Sequence, residues 1–542
     1  PSMCLVRAAR QVPSKRSIQN SRTLVSFILT RILLRQRVFA LIAAAVLGLT
    51  SHIGWAGAAA ERLEQIKTDP VQLRQFLQRM PKGGDLHSHL SGAVYAESLI
   101  QWAAEDGKCI DPSSGAITLP PCDSESGKIS AAQYLKDITP NTSIEAMIDE
   151  LSVRNYRRRE VSGHDQFFST FELFTPATWG RRGDMVAEVS SRAARQNILY
   201  LELMHSLGMF EVAALAEATA DLDAPYGERI DHQAVDAIVD DVIEQMDQID
   251  ARRRELQNCD QKLSPAALET GSGCNVTVRY LSQVIRTLSP AQVYAQTLVA
   301  FKLIAADERV VGLNFVAPED HLVALRDYRQ HMNFIAEIGG QFPKQRAGIT
   351  LHAGELTMGL VPPEHLGWHI REAISTAGAK RIGHGMDIAY DDNMHQLLEA
   401  MADSEILVEI NLTSNDVILD VTGTEHPLLT YLKFDVPVTL STDDEGVSRI
   451  DLTHEYQRAV TTYDFGYDRL RSFSRNALQY SFLPGTSLFE NTLSGVMVAA
   501  CRNDDVTASA LTEDCSQLMR RSPKAALQWQ LEERLHRFES GL

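Results

Sequence analysis

Asp85-Leu86-His87-Ser88-His89 is the stretch on which the fold turns. Side chains on a β-strand alternate with a period of two, so His87 and His89 point the same way. Two imidazoles on one face suit a divalent metal, although an H-x-H pair alone is a weak signal. Working outward, short apolar or β-branched runs recur at residues 85–90, 198–204, 276–284, 310–315, 348–351, 381–383, 406–410 and 436–440. Most of the later ones are separated by amphipathic, helix-like segments such as 363–377 and 392–402. Gly312, His352, His384, Asn411 and Asp443 stand 40, 32, 27 and 32 positions apart, each about one strand-helix unit. Eight such units predict an α/β fold, a (β/α)8 TIM barrel with helical and loop insertions after strands 1 and 2. The insertions are expected at about residues 105–165 and 207–274, without strand repeats of their own, and residues 452–542 read as a helical tail. All of this falls within a single domain spanning 61–542.

Polar motifs sit at the ends of the later runs. The fifth ends Thr350-Leu351-His352-Ala353-Gly354-Glu355, the sixth is Arg381-Ile382-Gly383-His384-Gly385, and the eighth ends Leu440-Ser441-Thr442-Asp443-Asp444-Glu445. In a barrel the C-terminal strand ends converge on one mouth, so these motifs can share a site. A buried histidine alone is more often a hydrogen-bonded core residue, but four polar motifs at the same strand end are hard to explain by packing. His87, His89 and His352 with one carboxylate make a three-nitrogen, one-oxygen site that leaves a position for water, as catalytic zinc requires. Neighbouring strand residues face opposite ways, so one of Asp443 and Asp444 is expected at the metal and the other at the substrate.

The motifs Leu86-His87-Ser88-His89-Leu90-Ser91-Gly92-Ala93, His352-Ala353-Gly354-Glu355, Arg381-Ile382-Gly383-His384-Gly385 and Ser441-Thr442-Asp443-Asp444 resemble those of the adenosine deaminase family, whose members are zinc-dependent (β/α)8 barrels. Weaker matches are Phe167-Phe168-x-x-Phe171, similar to the family's lid over the purine, Val310-Val311-Gly312 on the fourth strand, and residues 476–482 in the tail. The resemblance spans about residues 72–482. It implies one Zn2+ per chain on His87, His89, His352 and Asp443, lowering the pKa of bound water towards 7. It further implies that His384 takes the water's proton or holds the hydroxide, that Glu355 protonates ring nitrogen N1, that Asp444 holds N7, and that the Gly312 N–H donates to N3. His89, Ser91, Phe167 and Phe171 would line the substrate. The implied reaction is hydrolytic deamination of adenosine, and of 2′-deoxyadenosine, to inosine and ammonia.

Three departures bear on the sugar: Ser91 where Asp is usual, Met204 where Arg is common, and Asn314 where Asp is common. They leave open another 6-aminopurine or a modified adenosine. Two further readings stand beside deamination. One is a related barrel hydrolase acting on a non-purine amide or ester, since fold alone does not set function. The other is an extracellular adenosine-binding or growth-factor-like relative, which would not need an acid three residues from a metal ligand. The H-x-E with P-C-x-x-C pattern of cytidine-deaminase-type folds is absent from the sequence.

The chain has 542 residues and a formal charge of −18. Residues 1–60 contain eight basic and no acidic side chains, so the remainder carries −26. That balance excludes a phosphate-tracking nucleic-acid binder and disfavours anionic membranes; the expected partner is a small purine nucleoside. A basic flank, the apolar run 38–50 and small residues at 56–60 read as a secretory signal, hence an exported, periplasmic or extracellular protein with no stable membrane partner after cleavage. The alternatives are a membrane anchor over 38–57, which lacks charge, and an organelle transit peptide. Six cysteines lie beyond this segment, in three local couples: Cys109 and Cys122, Cys259 and Cys274, Cys501 and Cys515. Local pairing is the simplest connectivity, each bridge closing a surface loop and stabilising by about 3 kcal/mol, and the even count agrees with an oxidising compartment.

Overall fold

Continuous apolar runs become parallel strands when both faces of a sheet are covered, and the eight runs do so here. A computed structural model describes residues 57–123, 125–136, 144–218, 224–260, 272–343, 348–508 and 510–542. The export segment read over residues 1–60, or the anchor over 38–57, lies outside the described residues except for 57–60. The strands are β1 (Gly83–His89), β2 (Ile198–His205), β3 (Thr277–Ile285), β4 (Val310–Val316), β5 (Thr350–Ala353), β6 (Arg381–His384), β7 (Leu407–Ile410) and β8 (Val438–Leu440). They form two four-stranded parallel sheets in sequence order, β1 to β4 and β5 to β8.

The sheets meet at both edges through isolated parallel bridges, Leu313 with Ile349 and Ser88 with Asp443. At the second edge the His89 N–H donates to the Asp443 carbonyl at 3.0 Å, and the Asp443 N–H donates to the His87 carbonyl at 2.8 Å. At the first edge two glycines allow the approach: a Cβ on Gly312 would lie 2.1 Å from the Gly348 carbonyl oxygen. The space around Gly312 is otherwise filled by Leu281 and Phe482. Gly312 therefore packs β4 against the segment leading into β5. It stands two residues before Asn314, whose side-chain oxygen accepts from the His352 N–H.

Helices join the later strands. Between β3 and β4 lies α1 (Pro290–Ala306), started by proline at its first position and a reciprocal capping box between Ser289 and Gln292. Val293, Leu298, Phe301 and Leu303 are among its buried residues, and the helix packs against β3 and β4. Helices Leu322–Gln341, His369–Ser375 and Met394–Asp403 follow β4, β5 and β6. After β8, the helix Tyr467–Gln479 covers the N-terminal strand ends: Asn476 Nδ2 donates to the Val438 carbonyl at 2.9 Å, and Leu527, Leu531 and Leu535 of the last helix, Pro523–Ser540, complete that apolar floor with Leu86 and Leu199.

The segment after β1 carries a small antiparallel sheet with Cys109–Ile110 between Ile117–Thr118 and Ile129–Ser130. Strands of two residues are too short to show alternation, which is why none was expected there. After β2, the helix His232–Leu256 packs beside Arg182–Arg195. Three disulfides join Cys109 to Cys122, Cys259 to Cys274 and Cys501 to Cys515.

Candidate metal centre

His87 and His89 alternate on β1, His352 is the third residue of β5, and Asp443 lies three residues past β8; all four are buried. Their side chains converge. The Nε2 atoms of His87 and His89 lie 3.1 and 3.2 Å from Nε2 of His352. Asp443 Oδ1 stands 3.4 Å from His87 Nε2 and 3.2 Å from His89 Nε2. Zinc–ligand bonds of 2.0–2.1 Å in a tetrahedron separate the ligand atoms by about 3.3 Å, so the donor set has the right spacing for zinc.

Hydrogen bonds behind the cluster orient the imidazoles. His87 Nδ1 faces Glu409 Oε2 at 2.7 Å, and His352 Nδ1 faces Asn314 Oδ1 at 2.8 Å. Both Nδ1 atoms donate, leaving the Nε2 lone pairs at the centre, as a metal ligand requires. Glu409 is held in turn by Thr350 Oγ1 at 2.9 Å and by Arg381 Nε at 2.5 Å. Ser414 Oγ donates to Asp443 Oδ2 at 2.6 Å. Burial opposes charge on His87, yet the Asp443 and Glu409 carboxylates outweigh it and raise its pKa to about 10. Burial likewise opposes charge on Asp443, but hydrogen bonds from His87 and His89 hold its carboxyl well below the ordinary range. The cluster is therefore built around positive charge.

Two further acids face the same mouth in the opposite state. Burial, then the charges of Asp443 and Glu319, push the Glu355 carboxyl well above its ordinary pKa. Glu319 also fixes the backbone beneath it, accepting the N–H groups of Gly354 at 3.0 Å and Glu355 at 2.8 Å and the Nδ1–H of His369 at 2.6 Å. Glu355 Oε1 is buried with no hydrogen-bond partner among the described residues and lies 3.4 Å from His384 Nδ1. Asp444 is raised well above its ordinary value by burial and then by Asp443, and its Oδ1 is also buried and unpartnered. That oxygen fills the place a Cβ would take on Gly92, 1.6 Å away, so only glycine fits there. Burial lowers the pKa of His384 to about 3, so its imidazole is neutral.

The backbone is strained where these groups are presented. Ala317, His384 and Asp443 have φ of 80°, 67° and 60°, the left-handed region that non-glycine residues adopt at a cost of about 1–3 kcal/mol. The strand alternation expected to separate Asp443 from Asp444 ends with β8 at Leu440. Instead His89, Asp443 and Asp444 offer ligand atoms within 4.8 Å of one another, and it is the left-handed turn at Asp443 that lets both carboxylates face inward.

Ser91 lies just past β1 and is half-buried. Phe167 is buried and Phe171 half-buried on the helix Gly163–Thr178, their rings 5.6 Å apart. This helix docks on loops at the C-terminal strand ends: His164 Nε2 lies 3.2 Å from Asp320 Oδ1, and Gly163 abuts the Val417 carbonyl. Sequence reasoning missed Glu409, Glu319, Ser414, Asn415 and His426. Glu409 had a signal, a lone charge in the apolar run 406–410; Glu319 and His426 lie in loops where no spacing rule applies, and Ser414 and Asn415 lie on the short helix Leu412–Leu419, buried nearly all round and so without an amphipathic stripe.

The site defines an α/β protein with a buried histidine and aspartate cluster that could hold a metal ion, His384 offering a ligand atom to the same group as His87, His352 and Asp443. A family model described as adenosine deaminase matches residues 130–490, from within the first insertion into the first part of the tail. The chain belongs to the adenosine deaminase family. It is 36% identical over 173 residues to the adenosine deaminase of Shewanella loihica, and 33% identical over 176 residues to that of Escherichia coli O1:K1. Each alignment covers 31% of this chain and 49% of the relative, so the chain spans about half the length of the curated relatives it matches. The solved structure of an Arabidopsis N6-mAMP deaminase is 19% identical with a TM-score of 0.46, over 76% of this chain and 96% of that one.

Proposed function

We propose that the chain is a zinc-dependent hydrolase that removes the 6-amino group of a purine nucleoside, adenosine and 2′-deoxyadenosine foremost, releasing ammonia and leaving the 6-oxo purine. The observation that carries this reading is Glu355: a buried carboxyl whose pKa burial raises well above the ordinary range, with an unpartnered oxygen, beside a donor cluster that fits zinc. The sheets bridged at both edges support a closed (β/α)8 barrel with its site at the C-terminal mouth, and that mouth is where enzymes of this architecture place their chemistry. His87, His89, His352 and Asp443 would hold the zinc ion, which lowers the pKa of a ligated water towards neutrality.

The chain's own groups do the rest. Glu355 donates its proton to N1, drawing electron density from C6 so that the water oxygen can add there. Asp444, its carboxyl pKa raised by burial and by Asp443, would donate to N7 and hold the ring in place. The helix Gly163–Thr178 lays Phe167 and Phe171 over the mouth and keeps out bulk water. A pure binding protein gains nothing from an unpartnered buried acid, which costs about 1–3 kcal/mol.

A second substrate reading, another 6-aminopurine or a modified adenosine, is favoured by Ser91, a short neutral group where a carboxylate would grip a ribose hydroxyl. Asn314 no longer supports it, because Asn314 orients His352. A kinetic panel of adenosine, 2′-deoxyadenosine, adenine and methylthioadenosine, followed by ultraviolet absorbance with and without a chelator, decides between them. Chelator-sensitive turnover of adenosine is expected. If all four are inert, deamination is the wrong reaction.

Export belongs to the same proposal. It is supported by the apolar run 38–50 behind a basic flank and by three disulfides, which persist in oxidising compartments. Mass mapping of unreduced peptides from the native host should recover all three loops, and free thiols at these six positions would count against it.

A further inference from the structure

Glu355 can deliver a proton only from a fixed place, yet it stands in a turn and not on a strand: β5 ends at Ala353, and Gly354 follows with a φ of 74°. The turn is gripped from two sides. The Gly354 carbonyl accepts the N–H groups of Met386 at 2.8 Å and Asp387 at 3.0 Å. On the other side the turn's own two N–H groups converge on one side chain, Gly354 on Oε1 and Glu355 on Oε2 of Glu319. Glu319 is buried three residues past the end of β4, so where Glu355 stands depends on where Glu319 is held.

What holds Glu319 is His369, a residue with no part in the proton transfer itself. Its Nδ1 lies 2.6 Å from Glu319 Oε1, the oxygen shared with Gly354, and among the described residues no other side chain donates to that carboxylate. Burial opposes charge on Glu319, and the bond from His369 leads the interactions that hold its pKa below the ordinary value. Burial lowers the pKa of His369, so its ring is neutral with a single proton; a carboxylate accepts, which places that proton on Nδ1. The ring is itself clamped. It stacks on Tyr328 with centroids 3.8 Å apart and planes 12° from parallel, and Trp368 meets it edge-on at 4.2 Å. The Tyr328 hydroxyl donates to the His369 carbonyl at 3.1 Å. Tyr328 belongs to Leu322–Gln341, the helix after β4, and His369 opens the helix after β5. The contact that packs these two helices therefore also aims one N–H at Glu319.

We propose that His369 is a positioning residue that locks Glu319, and through it the Gly354–Glu355 turn, so that the Glu355 carboxyl is presented to the purine ring at one place. This deepens the deaminase reading and rests on it. The role needs an N–H at a fixed point and no charge on the imidazole. Phenylalanine keeps a ring to stack on Tyr328 but leaves Glu319 without its side-chain donor; asparagine lacks the ring but brings an N–H to about the place of Nδ1. Proton transfer to the ring belongs to the transition state, so a displaced acid lowers kcat and leaves KM alone.

The test sets His369→Phe against His369→Asn in the zinc-loaded protein, read by steady-state kinetics and by hydrogen exchange at the Gly354 and Glu355 amides. His369→Phe is expected to lose about 10- to 100-fold in kcat with KM within about threefold of wild type, and its two amides to exchange about tenfold faster or more. His369→Asn is expected to recover both. A His369→Phe protein with wild-type kcat and slow exchange would overturn the proposal. So would a His369→Asn protein no better than His369→Phe, because the ring would then act by packing alone. Should His369→Phe fail to fold, Glu319→Gln carries the test: its NH2 must face one of the donors that Glu319 accepts, and an unaltered kcat would overturn the proposal equally. Failure of the deaminase reading looks different, since it shows as absent turnover in the wild type while the exchange rates still decide for or against the grip on the turn.

Discussion

Two ends of the same strands bury charge in opposite ways. At the N-terminal end, Arg381 donates to Glu409, to Glu202 Oε2 at 2.6 Å and to the Tyr480 carbonyl at 2.9 Å. Glu202 Oε1 accepts from Tyr200 and from the Phe482 N–H, each at 2.7 Å. Lys82, fully buried, donates to the carbonyls of Leu77, Met80 and Gln196. No side-chain polar atom of this floor network is left without a partner. At the C-terminal end, Glu355 Oε1, Asp444 Oδ1, Asn314 Nδ2, Arg286 Nη2 and Asn411 Oδ1 are all buried and unpartnered among the described residues. Satisfied buried charge specifies a packing; the five atoms at this mouth, which are some of the unpartnered buried atoms among the described residues, are available to a ligand. Glu409 joins the two regions, anchored by Arg381 on one side and orienting His87 on the other.

The difference can be broken from either end. Glu355→Gln removes the proton donor while keeping its volume, so kcat is expected to fall by about 10²–10⁴-fold with zinc content and Tm retained. A variant that instead loses zinc or unfolds would make Glu355 part of the floor's kind of network. Arg381→Met removes the centre of that network and leaves two carboxylates facing each other, with an expected loss of about 3–5 kcal/mol in denaturant unfolding. If it loses activity while keeping its stability, the floor is functional and the contrast fails.

Smaller effects sharpen the boundary. Asn314→Ala frees the His352 ring and should weaken zinc binding about 10–100-fold, read by competition with a chelating dye, with little change in Tm. The pH profile separates the acids at the mouth. Glu355 acts in its protonated form and keeps its proton above the ordinary carboxylate range, so kcat/KM should fall as pH rises through that raised pKa. An alkaline limb that survives unchanged in Glu355→Gln would assign the titration to another group.

Much of this was legible before any coordinates. Eight apolar runs mark eight strands because parallel strands are buried on both faces, and the H-x-H pair brings both imidazoles to one cluster even though the pairing of β1 with β2 shifts register between Asp85 and Ser88. Reasoning from strands failed where the strand stops. Asp443 and Asp444 lie beyond β8, where a left-handed residue replaces alternation. Glu319, Asn415 and His426 were invisible because each acts on a histidine or a backbone group far away in sequence, brought near only by the fold.

The claim beneath the account is that four converging side chains hold one zinc ion on which deamination depends. Titrating chelator-treated protein with zinc while following the ultraviolet band of adenosine tests it most directly. Activity should rise in proportion to added zinc and level off at one equivalent per chain, and His352→Ala should not respond. Turnover that is indifferent to chelation, or that His352→Ala recovers with zinc like the wild type, would contradict it.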